Sequence, residues 1–378
     1  MKQASANATK EGAGQAEQAM VVVDGSVDEG GGQVVRTAVA LAAAAGKSVA
    51  VKRIRAKRIP PGLRPQHVLG VRLLASVTSA SLEGDEKNSE RVELVGPKSI
   101  QGGEYQCHAE TPASCTLLAQ CAIPPLLFGQ CASHVQMTGG TDVPMAPSID
   151  YLTHVFAPNF NRCLQPSGVQ LQVECKKRGF IPRGGGRVAL HITPLISNTL
   201  RPFECVSFGR LHSLQLVSFG AAEASKVATN AAMECIKERL QMEACCTTDS
   251  NYQRSKHGSL LVAAISEDGW VLGASVPLVD PMKLEEASQA GRATALDVLS
   301  LLKRKGCADS HMQDQLLVFM AMAEGVSKLG SCCAPTPHAL AVMRVAEQVV
   351  GARFTVKDPH ANTEPWIITC QGAGLKRL

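Results

Sequence analysis

The stretch VVVDGSVDEGGGQVVRTAVALAAAAG, residues 21–46, places an apolar strand ahead of an Ala-rich helix. Between them lie Asp24, Asp28, Glu29 and three glycines, with Gln33 and Arg36 just inside the helix. Three successive glycines carry a conformational cost in any fold. At a helix start they let backbone N–H groups approach an anion. Glu29 argues against a simple phosphate cradle and suits a metal ion or a ribose hydroxyl. A second triplet, Gly184-Gly185-Gly186, offers the same kind of backbone. Neither triplet fits GxGxxG or GxxxxGK[ST], so dinucleotide-binding and P-loop readings fail.

Two further segments carry reactive types. KRIRAKRIPPGLRPQH, residues 52–67, has six Lys or Arg among its first thirteen residues and no acid. A basic strand end followed by a rigid Pro-Pro-Gly turn suits phosphate, to which Arg presents a planar fork. The competing reading is a solvated basic edge strand. In APTPHALAVMRVAEQVV, Thr336 suits a helix cap and Pro337 the first position, so His338 falls in the first turn. The positive helix end disfavours imidazolium there. A neutral imidazole is a nucleophile, and the same helix end attracts phosphate. Asp314 and Gln315 are expected to open the helix LLVFMAMAEGV, where an acid complements the dipole, holds a metal or orients a histidine.

The elements that must position these groups follow one pattern. A small-residue helix, a short turn and a strand recur in VVRTAVALAAAAGKSVAVKRIRA, in SCTLLAQCAIPPLLFGQCASHVQMTGG and in HALAVMRVAEQVVGARFTVK. The pattern predicts an α/β (α+β) protein of three similar units, each a sheet with helices packed on one face. Residues 192–308 read differently, as a compact βαββα block with a Glu267-Asp268-Gly269 hairpin turn. Its last helix is expected to stop at Gly306. The expected division is a leader over 1–18, core over 19–191, inserted domain over 192–308 and last core repeat over 309–378. The leader is expected to be disordered.

Composition bounds the rest. The 378 residues are 45% hydrophobic and 19% charged, which is a folded globular composition. A net charge of +5 neither demands nor excludes nucleic acid. Fourteen Cys with no CxxC give little support to a zinc or redox centre. With no signal peptide and no 18-residue apolar run, the reading is a protein of nucleus or cytoplasm, neither secreted nor membrane-bound, with mostly free Cys. Nothing in the chain sets an oligomeric state.

The segments DGSVDEGGGQVVR, IRAKRIPPGLRPQH, GGTDVPMAPSIDY, GFIPRGGGRV, DQLLVFMA and HALAVMRVAEQ occur in one order. Together they resemble the RNA 3′-terminal phosphate cyclase family over roughly residues 20–370. The resemblance implies three repeated units, each a sheet plus two helices, and a smaller, thioredoxin-shaped insert without a redox site. It implies that a histidine attacks the α-phosphate of ATP, that AMP passes to an RNA 3′-phosphate, and that the 2′-hydroxyl closes a 2′,3′-cyclic phosphate. His338 falls on the family's nucleophile. Glu29, Gln33 and Arg36 match positions near nucleotide and metal, the metal being Mg2+ or Mn2+. Arg55, Arg58, Gln66 and His67 match the lining of the same cleft. Gln120, Pro147, His311, Asp314 and Gln315 fall where the family contacts the nucleotide. The partners so implied are ATP and an RNA bearing a 3′-terminal phosphate.

Departures from the family pattern are Lys57 and Ala113, where Gly is usual, and Ala339 and Ala341, where hydroxyl residues are common. VPLVDPMKLEE also replaces a Gly- and basic-rich loop. The alternatives are a catalytically silent relative acting in ribosomal RNA processing and an enolpyruvyl transferase. The first lacks the histidine, and the second does not share the order of motifs.

Overall fold

The computed structural model describes residues 19–27, 31–252 and 255–378. Glu29 and the whole of segment 1–18 lie outside them.

The first sheet is built from β1 (Val21–Asp24), α1 (Gly32–Ala45), β2 (Val49–Lys52), α2 (Pro65–Thr78), β3 (Ser81–Glu83) and β4 (Arg91–Val95). Its strand order is β1-β2-β4-β3. The second uses β5 (Gly103–His108), α3 (Cys115–Leu126), β6 (Ser133–Gly139), α4 (Ile149–Tyr151), α5 (Ala157–Leu164), β7 (Gln170–Lys177) and β8 (Gly186–Thr193). A π-helical stretch, Leu152–Phe156, joins α4 to α5. The order here is β5-β6-β8-β7.

After β9 (Glu204–Cys205) come β10 (Leu211–Gly220), α6 (Ala222–Leu240), β11 (Cys245–Asp249), β12 (His257–Ser266), β13 (Val271–Val279) and α7 (Leu284–Lys303). They form a sheet ordered β11-β10-β12-β13. The chain then runs through α8 (Ser310–Met322), β14 (Glu324–Ser331), α9 (Pro337–Val350), β15 (Arg353–Lys357) and β16 (Trp366–Ala373). This last sheet is ordered β15-β16-β14-β9. In the three sheets that hold β1, β5 and β9, the first two strands are parallel and the later two antiparallel.

Three local expectations change. The block after β9 contains a further strand, β11, so its order is βαβββα. CCTTD is almost wholly exposed and shows no apolar period, and it is a strand because it pairs in parallel with the edge of β10. Helix α7 turns at Lys305, whose φ is +56°, rather than at Gly306. Strand β9, inside the 192–308 segment, pairs with β14 and not with the sheet that follows it.

Helix α1 is buried along nearly its whole length and packs on α2, α3 and α9. Its Ala run is what lets three helices approach one axis, and Gly46 in the left-handed region ends it. The β10–β13 sheet is covered on both faces. Val217, Leu261, Ala263 and Val271 join the main core, while Leu216, Leu260, Val262 and Ala264 pack with α6 and α7. Double coverage explains the continuous apolar run LLVAAI in β12, where a half-buried strand would alternate.

GFIPRGGGRV belongs to this junction. Buried Arg178 donates to both oxygens of Asp150 at 2.8 and 3.0 Å and reaches Asp249 at 3.4 Å. Its guanidinium lies 3.7 Å from the centre of the Phe219 ring. Phe180 stacks on His257 at 4.9 Å. The second glycine triplet closes the β7–β8 turn, with Gly184 and Gly185 at φ near +70°. It is a turn tied to the neighbouring sheet.

Candidate active site

Strand β2 is interior, between β1 and β4, so the basic segment is not an edge strand. Lys52 ends β2, and the other cations follow it in the connection to α2. Arg53 and Arg55 take left-handed backbone, φ +53° and +55°. Arg53 is held by Asp24, with Nε 3.1 Å from Oδ1. Arg55 is half-buried, and its Nε is buried with no hydrogen-bond partner among the described residues. Arg36 Nε is in the same state. Orphaned guanidinium donors are costly, and an anion satisfies them.

His67 stands beside these two arginines. It lies in the first turn of α2 and is 3% exposed. Its Nδ1 accepts the Arg64 N–H at 3.0 Å. The neutral ring therefore carries its proton on Nε2. Burial, then the charges of Arg36, Arg55 and Arg64, pull its pKa down to about 3. A Cβ on Gly32 would lie 2.1 Å from His67 Nε2 and 3.0 Å from Arg36 Nη1. Glycine at the start of α1 is thus what admits the imidazole and guanidinium. The result is an array of donors, Arg36, Arg55, Arg64 and a neutral histidine, at the N-terminal end of a helix whose dipole has the same sign.

A cavity adjoins this array. Gln33, Arg36, Gln120, Asp314 and Gln315 give its polar lining, and Ile123, Phe156 and Phe319 stand among its apolar walls. Arg36 Nη2 donates to Gln33 Oε1 at 2.5 Å. Asp314 is buried, and burial pushes its carboxyl up to about 7 against the pull of Arg36. Burial lowers the guanidinium of Arg36, opposed by Cys121 and Asp314.

Asp314 does not open its helix. Asp309 does, accepting the N–H groups of His311 and Met312 at 3.0 and 2.9 Å. Asp314 therefore sits one turn further in, where its side chain meets the cavity. The helix also ends at Met322, because Glu324-Gly325-Val326 enter β14. Sequence reasoning passed over Asp309. It accepts the Tyr151 hydroxyl at 2.6 Å and the Gly273 N–H at 3.2 Å, so it joins α8 to α4 and β13. The Asp309-Ser310 pair was its visible signal. Arg64, within GLRPQH, was also passed over.

The remaining expected residues lie around this centre. Pro147 presents its carbonyl to Thr116 Oγ1 at 2.8 Å. His311 meets Tyr151 edge-on, with centroids 5.5 Å apart. Arg58 closes a turn onto Arg55 O at 2.8 Å, and Gln66 is half-buried at the head of α2. His338 is exposed in the first turn of α9, behind Pro337. Thr336 caps that helix through Ala339 N at 3.1 Å. Pro147, His311, Arg55, Arg58, Gln66, His67 and His338 are not part of the cavity wall itself.

Comparison with known proteins fits this geometry. A family model described as RNA 3′-terminal phosphate cyclase matches residues 27–356. A protein of Pyrobaculum aerophilum named RNA 3′-terminal phosphate cyclase is 33% identical over 360 residues, covering 94% of this chain and 99% of its own. One of Drosophila melanogaster with the same name is 32% identical over 368 residues, covering 94% and 97%. One of Pyrobaculum neutrophilum is 36% identical over 358 residues, covering 94% and 99%.

The chain belongs to the RNA 3′-terminal phosphate cyclase family. The departures from the cyclase pattern now have places. Ala339 and Ala341 lie on the buried face of α9, away from the exposed side that carries His338. Ala113 is buried, and its carbonyl accepts Gly140 N–H at 2.8 Å. Lys57 is exposed in the basic loop. No helix among the described residues is long and apolar enough to cross a membrane.

Proposed function

We propose that this enzyme converts an RNA 3′-phosphate end to a 2′,3′-cyclic phosphate at the expense of ATP. In the first step a ring nitrogen of His338 attacks the α-phosphorus, and the bond to pyrophosphate breaks. In the second an oxygen of the RNA 3′-phosphate attacks the phosphorus of histidine–AMP, and His338 leaves. In the third the 2′-hydroxyl attacks the 3′-phosphorus, loses its proton to solvent, and AMP departs. A covalent intermediate divides one difficult condensation into easier steps.

The observation that carries this reading is a pair of buried, unmatched guanidinium donors beside the start of α1. Arg36 and Arg55 each keep a buried Nε without a partner among the described residues, beside a neutral His67. Phosphate oxygens are the ligand that such donors fit. Gln120, Asp314 and Gln315 would hold the nucleoside side in the adjoining cavity, with Pro147 and His311 near it and Gln33 oriented by Arg36. Arg58 and Gln66, outside that cavity wall, would serve the RNA end.

Mg2+ or Mn2+ and a role for Glu29 belong to the same proposal. Among the described residues no group of three or more His, Cys, Asp or Glu could hold a metal, so no step is assigned to one. We further read the sheets holding β1, β5 and β9 as three copies of one unit, and the β10–β13 block as an insert within the third. All fourteen Cys are free, as suits the nucleus or cytoplasm.

Incubation with α-labelled ATP tests the first step, and mass spectrometry should find one added AMP. An RNA with a 3′-phosphate should then yield a cyclic end whatever its last base. A matched DNA end can accept AMP but cannot cyclise. Failure of the protein to take up label, or a cyclic product from DNA, would sink the reading.

A further inference from the structure

We propose that Gln313 is a positioning residue for His338, its buried amide fixing the turn that delivers α9. The proposal rests on His338 being the nucleophile. Gln313 lies on α8, directly before Asp314, and is fully enclosed. Its Oε1 accepts the Thr336 N–H at 3.0 Å. Its Nε2 donates toward Cys333 O at 2.9 Å, Ala334 O at 3.1 Å and Ser331 Oγ. The two ends of the amide are not interchangeable. Only an NH2 group can face two carbonyls, and only the carbonyl oxygen can meet an N–H.

One side chain thus reaches polar groups of four residues in the six-residue stretch 331–336, its two amide N–H groups shared among three acceptors and its oxygen taking the Thr336 N–H. That stretch joins β14 to α9, and beyond Ser331 it belongs to no strand or helix. Backbone groups there that face the interior need partners from elsewhere. Thr336 is the key link. Gln313 holds its N–H, and its own hydroxyl caps α9 by accepting from Ala339 N. His338 sits between the cap and that accepted N–H. Its direction is therefore set by a helix start anchored to α8, the same helix that presents Asp314 and Gln315 to the cavity.

Packing alone does not account for a glutamine at this site. Met312, Leu316, Leu317 and Met320 of α8 are buried and apolar, and the buried polar pair Asp314 and Gln315 faces the cavity instead of this turn. A buried amide costs desolvation that an apolar residue avoids. The cost is offset here by backbone groups of the turn. Reaction rates are sensitive to such placement, since a nucleophile displaced by about 1 Å can lose on the order of a hundredfold in rate.

Two variants of the full chain test the assignment. Gln313→Glu keeps the shape and the acceptor for Thr336 but sets an oxygen against the carbonyls of Cys333 and Ala334. Gln313→Met keeps the volume and loses every hydrogen bond. Three quantities are read: ATP affinity by equilibrium dialysis, the single-turnover rate of AMP attachment at saturating ATP, and amide hydrogen exchange over residues 333–339. Exchange across that segment should quicken about tenfold. AMP attachment should slow by about tenfold to a hundredfold, with ATP affinity held within about threefold.

Unchanged exchange over 333–339 in either folded variant would overturn the proposal. So would an equal loss of ATP affinity and attachment rate, which is what general loosening gives. If the unaltered chain takes up no AMP, the proposed function fails, while the exchange measurement still decides what Gln313 holds.

Discussion

Replacing Asp314 by Asn should stabilise the chain at high pH and lose that advantage as pH falls. The carboxyl is pushed from an ordinary 3.8 to about 7, chiefly by burial, with Arg36 opposing. At about 1.36 kcal/mol for each pH unit of displacement, keeping this group ionised in the folded chain costs about 4 kcal/mol. The folded state binds the proton more tightly than the unfolded chain does. Its contribution to stability is therefore fully present below pH 3.8, declines as pH rises, and is lost above about 7. Asn carries no charge at any of these values. The advantage of Asp314→Asn over the unaltered chain should grow by about 2.5 kcal/mol between about pH 5 and 8.5. Comparing the two proteins at each pH removes the titration of every other group. Urea unfolding followed by Trp fluorescence provides the assay, because Trp366 begins β16, which packs on α8. A difference that is flat with pH would mean that Asp314 is ionised throughout and balanced by Arg36. A variant that is weaker at pH 8.5 than at pH 5, relative to the unaltered chain, would reverse the sign and refute the argument.

His338→Ala should abolish AMP attachment yet shift stability by no more than about 0.5 kcal/mol, since the side chain is exposed and the cap belongs to Thr336; labelling and thermal unfolding check the two halves. His67 has a pKa depressed from 6.5 to about 3, so its neutral burial contributes stability above 6.5 that is lost as pH falls toward 3. His67→Gln should flatten that acid decline in urea unfolding, and an unchanged decline would show the ring titrating normally. Gly32→Ala puts a methyl 2.1 Å from His67 Nε2 and must displace the ring. It should raise the KM for ATP by about tenfold in a cyclase assay, with the fold retained by circular dichroism.

The course of the chain is largely legible in its sequence. The Ala-rich α1, the Thr336-Pro337 start of α9 and the hairpin at Glu267-Asp268-Gly269 were each read from local rules of period, cap and turn, and those rules act over a few residues. The order of EGGGQ, GLRPQH and HALAV pointed to the family, which the match over residues 27–356 bears out.

What local rules could not settle was anything decided by a distant partner. Asp309 and Asp314 are both plausible helix caps by type. Asp309 takes the role, and the Tyr151 hydroxyl and Gly273 N–H meet it there from two other elements. CCTTD carries no apolar period and becomes β11 only because β10 offers an unpaired edge. Arg55 and Arg58 look alike in the sequence, but only Arg55 is shown with a buried donor left unmatched. Gln313 reads as one more polar residue at a helix start, and its meaning depends on a turn about twenty residues later in the chain. Burial and hydrogen-bond satisfaction are properties of the assembled neighbourhood, so the same residue type takes opposite roles according to which element closes over it.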